Sequence, residues 1–235
     1  MEPKIITSAA YKGGVGKTRL SYELAFLLGA PLIDFDYDDG GATLMWGYEP
    51  SQTGRATILD GFASNRTPRP LGGGGNKPDL VPSHPDVAER LLTVDPEDVR
   101  ERVERWAKEW GREYVVVDTH PGYHPMTIGA IAASRLTLVP VTMSIGSVRA
   151  LAKMVREHSE NPIMAIPYRV PNTVPPNSLK MLEAIDVEVG PMVSENRHID
   201  DRTLQIAITA KPRLRYRQFA SEIREVAEAV RTVTK

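Results

Sequence analysis

A glycine-rich run between an apolar segment and an amphipathic one constrains this chain most. Lys12-Gly13-Gly14-Val15-Gly16-Lys17-Thr18 follows the apolar residues 5–10 and opens the helical pattern of 18–28. Such a turn presents backbone N–H groups to phosphate oxygens, and the start of the helix adds positive potential. Gly13, Gly14 and Gly16 allow backbone angles and close approach that a side chain would block. Lys17 is placed to reach the β- and γ-phosphates, and Thr18 to set its hydroxyl on Mg²⁺. The cofactors this loop implies are ATP and Mg²⁺, and the expected class is a P-loop nucleotide hydrolase.

The rest of the chain alternates short apolar runs with longer amphipathic stretches, which predicts βα units and an α/β fold with a mostly parallel twisted sheet flanked by helices. Strands are expected at 5–10, 32–36, 80–81, 114–118, 136–140 and 163–166. Helices are expected at 18–28, ended by Gly29 and Pro31, at 95–110, 145–158, 178–185 and 219–233. Asp95 can cap the second of these and Pro96 suits its first turn. Residues 63–77, with Arg66, Arg69 and the run Gly72-Gly73-Gly74-Gly75, read as a flexible loop insertion in a single domain spanning 1–235. A second irregular stretch is expected at 167–177, which is rich in proline.

Composition excludes some chemistry. The 235 residues contain no cysteine, so disulfides, thiolate metal sites and Cys-ligated clusters are impossible within this chain. That fits a reducing cytoplasm. No apolar run approaches the roughly 20 residues that cross a bilayer, and no signal peptide fits before the first strand. The net charge of −1 demands no nucleic acid partner, though a local basic patch matters more than the total.

Tyr11 stands where the usual phosphate-loop motif opens with glycine, and Lys12 is an added lysine. With both, the loop resembles the deviant Walker A loop of the ParA/MinD family of ATPases. The resemblance implies that Lys12 reaches a partner's ATP across a dimer while Lys17 acts in cis. A second cation would offset charge in a transition state dominated by electrostatics. Leu32-Ile33-Asp34-Phe35-Asp36 resembles the family's A′ segment. It implies that Asp36 orients the attacking water and that Asp34 supports the Mg²⁺ shell through water. Asp34 also reads as a structural carboxylate. Tyr37-Asp38-Asp39-Gly40 departs from the Pro-Gln that often follows in the family, and Asp38 and Asp39 read equally as solvated loop residues.

Tyr114-Val115-Val116-Val117-Asp118 resembles Walker B, which implies Asp118 as a carboxylate of the Mg²⁺ shell. Thr119-His120-Pro121 follows where the family commonly has Thr-Pro-Pro, and His120 reads either as a catalytic base or as a residue at a helix entry. Leu138-Val139-Pro140-Val141 resembles the strand leading to the base. Tyr168-Arg169-Val170-Pro171 resembles the segment that reads adenine, which implies Arg169 and Pro171 on the nucleotide. Tyr168 reads as a stacking ring or as plain packing, and strictness for ATP over GTP stays open.

The family includes DNA-partitioning and membrane-positioning ATPases. Lys211-Pro212-Arg213-Leu214-Arg215-Tyr216-Arg217, with Arg224 two turns on, is a basic stretch suited to sequence-independent phosphate contacts, though it also reads as a solvated turn. The partition reading implies a short ParA-like ATPase: a homodimer on ATP binding, non-specific DNA as partner, a ParB-like centromere-binding protein that stimulates hydrolysis, and a cytoplasmic, nucleoid-associated location. Phe219, Ile223, Val226, Val230 and Val233 form an apolar stripe that a MinD-like membrane helix would also carry. Acidic residues on that helix make packing on the sheet the ordinary explanation, so no stable membrane association is expected. A non-enzymatic ATP sensor is a third reading, opposed by the presence of both Lys12 and Asp36.

Overall fold

A computed structural model describes residues 2–38, 41–49, 57–199 and 205–235. Among them the strands are β1 (Lys4–Ser8), β2 (Leu32–Asp34), β3 (Leu80–Val81), β4 (Tyr114–Asp118), β5 (Leu136–Val141), β6 (Ile163–Val170), β7 (Glu188–Val189) and β8 (Val193–Ser194). They form a sheet in the order β3-β2-β4-β1-β5-β6-β7, with β8 also pairing to β6, and every named pair is parallel. β1 lies between β4 and β5. The chain therefore reverses its direction of winding there, and the crevice at the carboxyl ends of these strands is where open α/β sheets bind ligands.

The helices are α1 (Lys17–Leu28), α2 (Ala42–Trp46), α3 (Ile58–Ala63), α4 (Val87–Arg90), α5 (Pro96–Trp110), α6 (Pro125–Ala132), α7 (Ile145–Glu157), α8 (Pro176–Glu183) and α9 (Arg217–Val233), with a 3₁₀ turn at Leu214–Tyr216. Local chemistry sets several boundaries. Asp95 accepts from the Glu97 amide at 2.9 Å and Pro96 opens the first turn of α5, while Gly111 closes that helix in the left-handed region. Gly29 closes α1 in the same way.

Alternation along the strands feeds two faces. Ile6, Leu32 and Val116 meet Leu20, Leu24, Phe219, Ile223, Val226 and Val230 from α1 and α9. Ile5, Ile33, Val115 and Val117 meet Val99, Val103 and Trp106 of α5 and Met126 and Ala130 of α6. The apolar stripe of α9 is thus packed against the sheet and α1, and only its last member, Val233, is substantially exposed.

Several expectations need correction. β1 ends at Ser8 rather than Ala10, and α9 starts at Arg217 rather than Phe219. β2 ends at Asp34 rather than Asp36, because the Asp36 amide turns to donate to Asp34 Oδ1 at 3.0 Å. The stretch expected to be irregular from Pro167 begins as strand: β6 runs on to Val170, with Pro167 opposite Val141. α8 starts at Pro176 rather than Ser178. Within residues 63–77, Leu71 makes an antiparallel bridge to Leu80, and the Gly73 amide donates to Asp79 Oδ1 at 2.9 Å.

Candidate functional site

The loop joins the carboxyl end of β1 to α1. Gly14 and Gly16 sit at φ of 72° and 103°, where L side chains are strained, whereas Gly13 has no such need. Gly16 carries a second constraint, since a Cβ there would lie 2.4 Å from Cε1 of Tyr168. The Tyr168 ring packs under the phosphate loop as a buried residue. Lys17 is buried to 5% exposure at the first turn of α1. Lys12 instead points outward, and its Nζ donates to Ser144 Oγ at 3.1 Å, at the start of α7.

Parallel pairing of β2 with β4 sets Asp34 opposite Asp118, both fully buried. Ser21 Oγ donates to Asp118 Oδ1 at 3.0 Å. Asp118 Oδ2 is buried without a hydrogen-bond partner among the described residues. Burial, opposed by Lys17 and reinforced by Asp36, pushes the Asp118 carboxyl up to about 7. Ser21 also opposes the rise through its hydrogen bond.

Asp34 is held differently. Thr43 donates to its Oδ2 through both backbone N and Oγ1, each at 2.6 Å, and the Ser83 amide donates to the same Thr43 hydroxyl. Burial and then the charge of Asp118 raise the Asp34 carboxyl well above the usual range. Asp34 thus orders the start of α2, and its Oδ1 also takes the Asp36 amide.

Asp36 is 8% exposed, and its Oδ1 accepts from the Asp38 amide at 3.2 Å. Burial raises its pKa against the opposing effects of that amide, Lys17 and His120. His120 Nε2 donates to Asp38 Oδ2 at 3.1 Å, and its ring stacks on Tyr37 at 4.4 Å with an interplanar angle of 5°. Asp39 and Gly40 lie outside the described residues.

A hard dication fits these residues. Carboxylate and hydroxyl oxygens are the donors Mg²⁺ takes. The partnerless Asp118 Oδ2, beside Thr18, is a buried acceptor that a cation or its water would satisfy.

On the base side, Arg169 takes a positive φ of 54° near the end of β6, two residues before Pro171. A cleft of about 40 Å³ lies beside Gly16, Arg19, Tyr168, Arg169, Ser194 and Asn196. Sequence reading passed over Arg19, which follows the loop directly in α1, and over Ser194 and Asn196, which only tertiary packing of β8 and the following turn brings to the loop. Asn196 also reaches the basic stretch, where its Nδ2 donates to the Arg215 carbonyl at 2.9 Å. Arg213, Arg215 and Arg217 are exposed, and Arg215 lies 4.8 Å over the Tyr216 ring. Arg224 is turned back on the protein, donating to the carbonyls of Ala220 at 3.2 Å and Thr209 at 3.0 Å.

A parallel sheet wound about β1, with a phosphate loop feeding α1 and carboxylates arriving from β2 and β4, defines a P-loop nucleotide-binding protein. No family model matches the chain. The chromosome-partitioning ATPase Soj of Thermus thermophilus is 29% identical over 157 residues, which cover 64% of this chain and 59% of Soj. Apo McdA of Cyanothece superposes with a TM-score of 0.80 at 19% identity, over 97% of this chain and 99% of McdA. MinD of Pyrococcus horikoshii, solved with Mg-ADP, gives a TM-score of 0.73 at 20% identity, over 97% of this chain and 96% of MinD. The resemblance to the ParA/MinD family of ATPases drawn from the loop is therefore carried by sequence and by fold alike.

Proposed function

We propose that the chain is a Mg²⁺-dependent ATPase of the ParA-like kind, which dimerises on ATP, binds DNA without sequence preference and drives segregation of DNA cargo. The observation that carries the catalytic part is the convergence of Lys17, Asp36 and the half-satisfied Asp118 at the carboxyl ends of β1, β2 and β4. In this reading Gly13, Gly14, Val15, Gly16 and Lys17 cradle the phosphates. Thr18 and Asp118 hold Mg²⁺, which when bound neutralises charge on the phosphoryl oxygens. Asp34 keeps the Asp36 segment in register and takes part in the metal shell only through water. Asp36 orients the attacking water. Lys12, already facing away from its own loop, serves the partner's nucleotide.

Similarity to Soj favours the partition branch, and exposed Arg213, Arg215 and Arg217 supply a basic surface for it. A ParB-like protein is the expected stimulator, and the location follows the DNA. A MinD-like membrane role is the second reading, drawn from the fold match. It is weakened by the burial of Phe219, Ile223, Val226 and Val230, which leaves α9 without a free apolar face. The test is binding to a random-sequence duplex and to anionic vesicles, each with ATP, ADP or no nucleotide. ATP-dependent, salt-sensitive duplex binding supports the partition reading. ATP-dependent vesicle binding without duplex binding overturns it for the second.

A further inference from the structure

Tyr37, Asp38 and His120 are among the residues at which the chain departs from the family pattern, and the fold brings these three into contact. They sit on different loops. Tyr37 and Asp38 follow β2, while His120 follows β4, and the pairing of Asp34 with Asp118 puts the loops side by side. His120 makes two contacts of different kinds across this gap: a parallel stack on Tyr37 at 4.4 Å and a hydrogen bond to Asp38 at 3.1 Å. His124, the residue capping α6, closes the cluster with its ring 5.7 Å from Tyr37 and 6.1 Å from His120.

Between the two grasped residues and β2 lies Asp36. Its amide is fixed from below by Asp34 Oδ1, and its carboxylate from above by the Asp38 amide. Asp38 itself is exposed, with 64% of its side chain open, and among the described residues His120 is the group that holds its carboxylate. The geometry points to His120 as a positioning residue for Asp36, acting through Asp38 and Tyr37 as a clamp that joins the loop after β2 to the loop after β4. This rests on the hydrolase reading above. His120 needs no proton chemistry in this role, because phosphoryl transfer depends on positioning more than on a strong base.

The test pairs steady-state phosphate release with hydrogen exchange over residues 32–38, in wild type, His120→Ala and His120→Gln. Glutamine keeps an N–H donor for Asp38. His120→Ala is expected to lower kcat about tenfold or more, since small misplacements of a catalytic group are that costly. KM for ATP stays within about twofold, because Lys17 and the phosphate loop are untouched. The Asp38 amide exchanges faster in His120→Ala, and His120→Gln recovers part of both losses. Asp38→Ala on the His120→Ala background adds little further loss in kcat, as expected of two groups acting through one contact. Unchanged exchange with kcat within twofold overturns the clamp, as does additive loss in the double variant. Wild type that binds Mg-ATP but releases no phosphate overturns the hydrolase reading instead, and the exchange comparison then decides the clamp alone.

Discussion

Ser21 satisfies one oxygen of the buried Asp118 carboxylate at 3.0 Å and leaves the other without a partner. An acid in that state resists ionisation, and its pKa rises to about 7 chiefly through burial. The sign of the consequence is fixed by linkage. A carboxyl whose folded pKa exceeds its unfolded value of about 3.9 binds more protons when folded, so it costs stability as pH rises through that window. In EDTA, wild type should therefore lose stability between about pH 4 and pH 7 through this group, and Asp118→Asn should flatten that part of the profile. Thermal melts of both proteins across pH check it. Mg²⁺ with ATP should stabilise wild type more at pH 8 than at pH 6 and should do little for Asp118→Asn.

Gly16→Ala should fail on two grounds at once. The position needs a φ of 103°, and the new Cβ would lie 2.4 Å from the Tyr168 ring. Backbone strain of this kind costs on the order of 1–3 kcal/mol, and overpacking adds to it. The melting temperature should fall and ATP binding weaken together. Tyr168→Ala on that background relieves the clash but not the strain, so it should restore each only in part.

Arg215 and Arg217 should behave differently from Arg224. Arg215→Ala with Arg217→Ala should weaken duplex binding and reduce its salt dependence by about one unit of log–log slope per lost phosphate contact, with no change in stability. Arg224→Ala should lower stability by about 1–2 kcal/mol, because its guanidinium holds the carbonyls of Thr209 and Ala220. Its effect on DNA affinity should be the smaller one. Chemical denaturation and fluorescence anisotropy on the same preparations distinguish them.

What could be read from the residues alone was whatever local chemistry encodes. The phosphate loop is legible because glycine, lysine and threonine act through their own backbone and side chains. β4 was expected at 114–118 and runs over Tyr114–Asp118, since a continuous β-branched run has few alternatives. α5 was legible through Asp95 and Pro96 at its start. α2 and α4 have too few turns to show a period, and β7 is two exposed residues held only by pairing with β6. The grip of Thr43 on Asp34, the Tyr168 ring beneath Gly16 and the bond from His120 to Asp38 are contacts between distant segments. No pattern along the chain announces them. Asp34 shows the difference plainly: its type and spacing read as metal-shell chemistry, while its partners tie it first to the start of α2.

In the proposed Mg-ATP site, Lys17 should serve binding and Asp36 turnover. The most direct measurement is ATP affinity by calorimetry, together with phosphate release, for wild type, Lys17→Ala and Asp36→Ala with Mg²⁺ present. Lys17→Ala should lose binding and hence turnover. Asp36→Ala should bind ATP as wild type does, while turning over about 100-fold more slowly or not at all. Normal affinity in Lys17→Ala, or full turnover in Asp36→Ala, would contradict this division of roles.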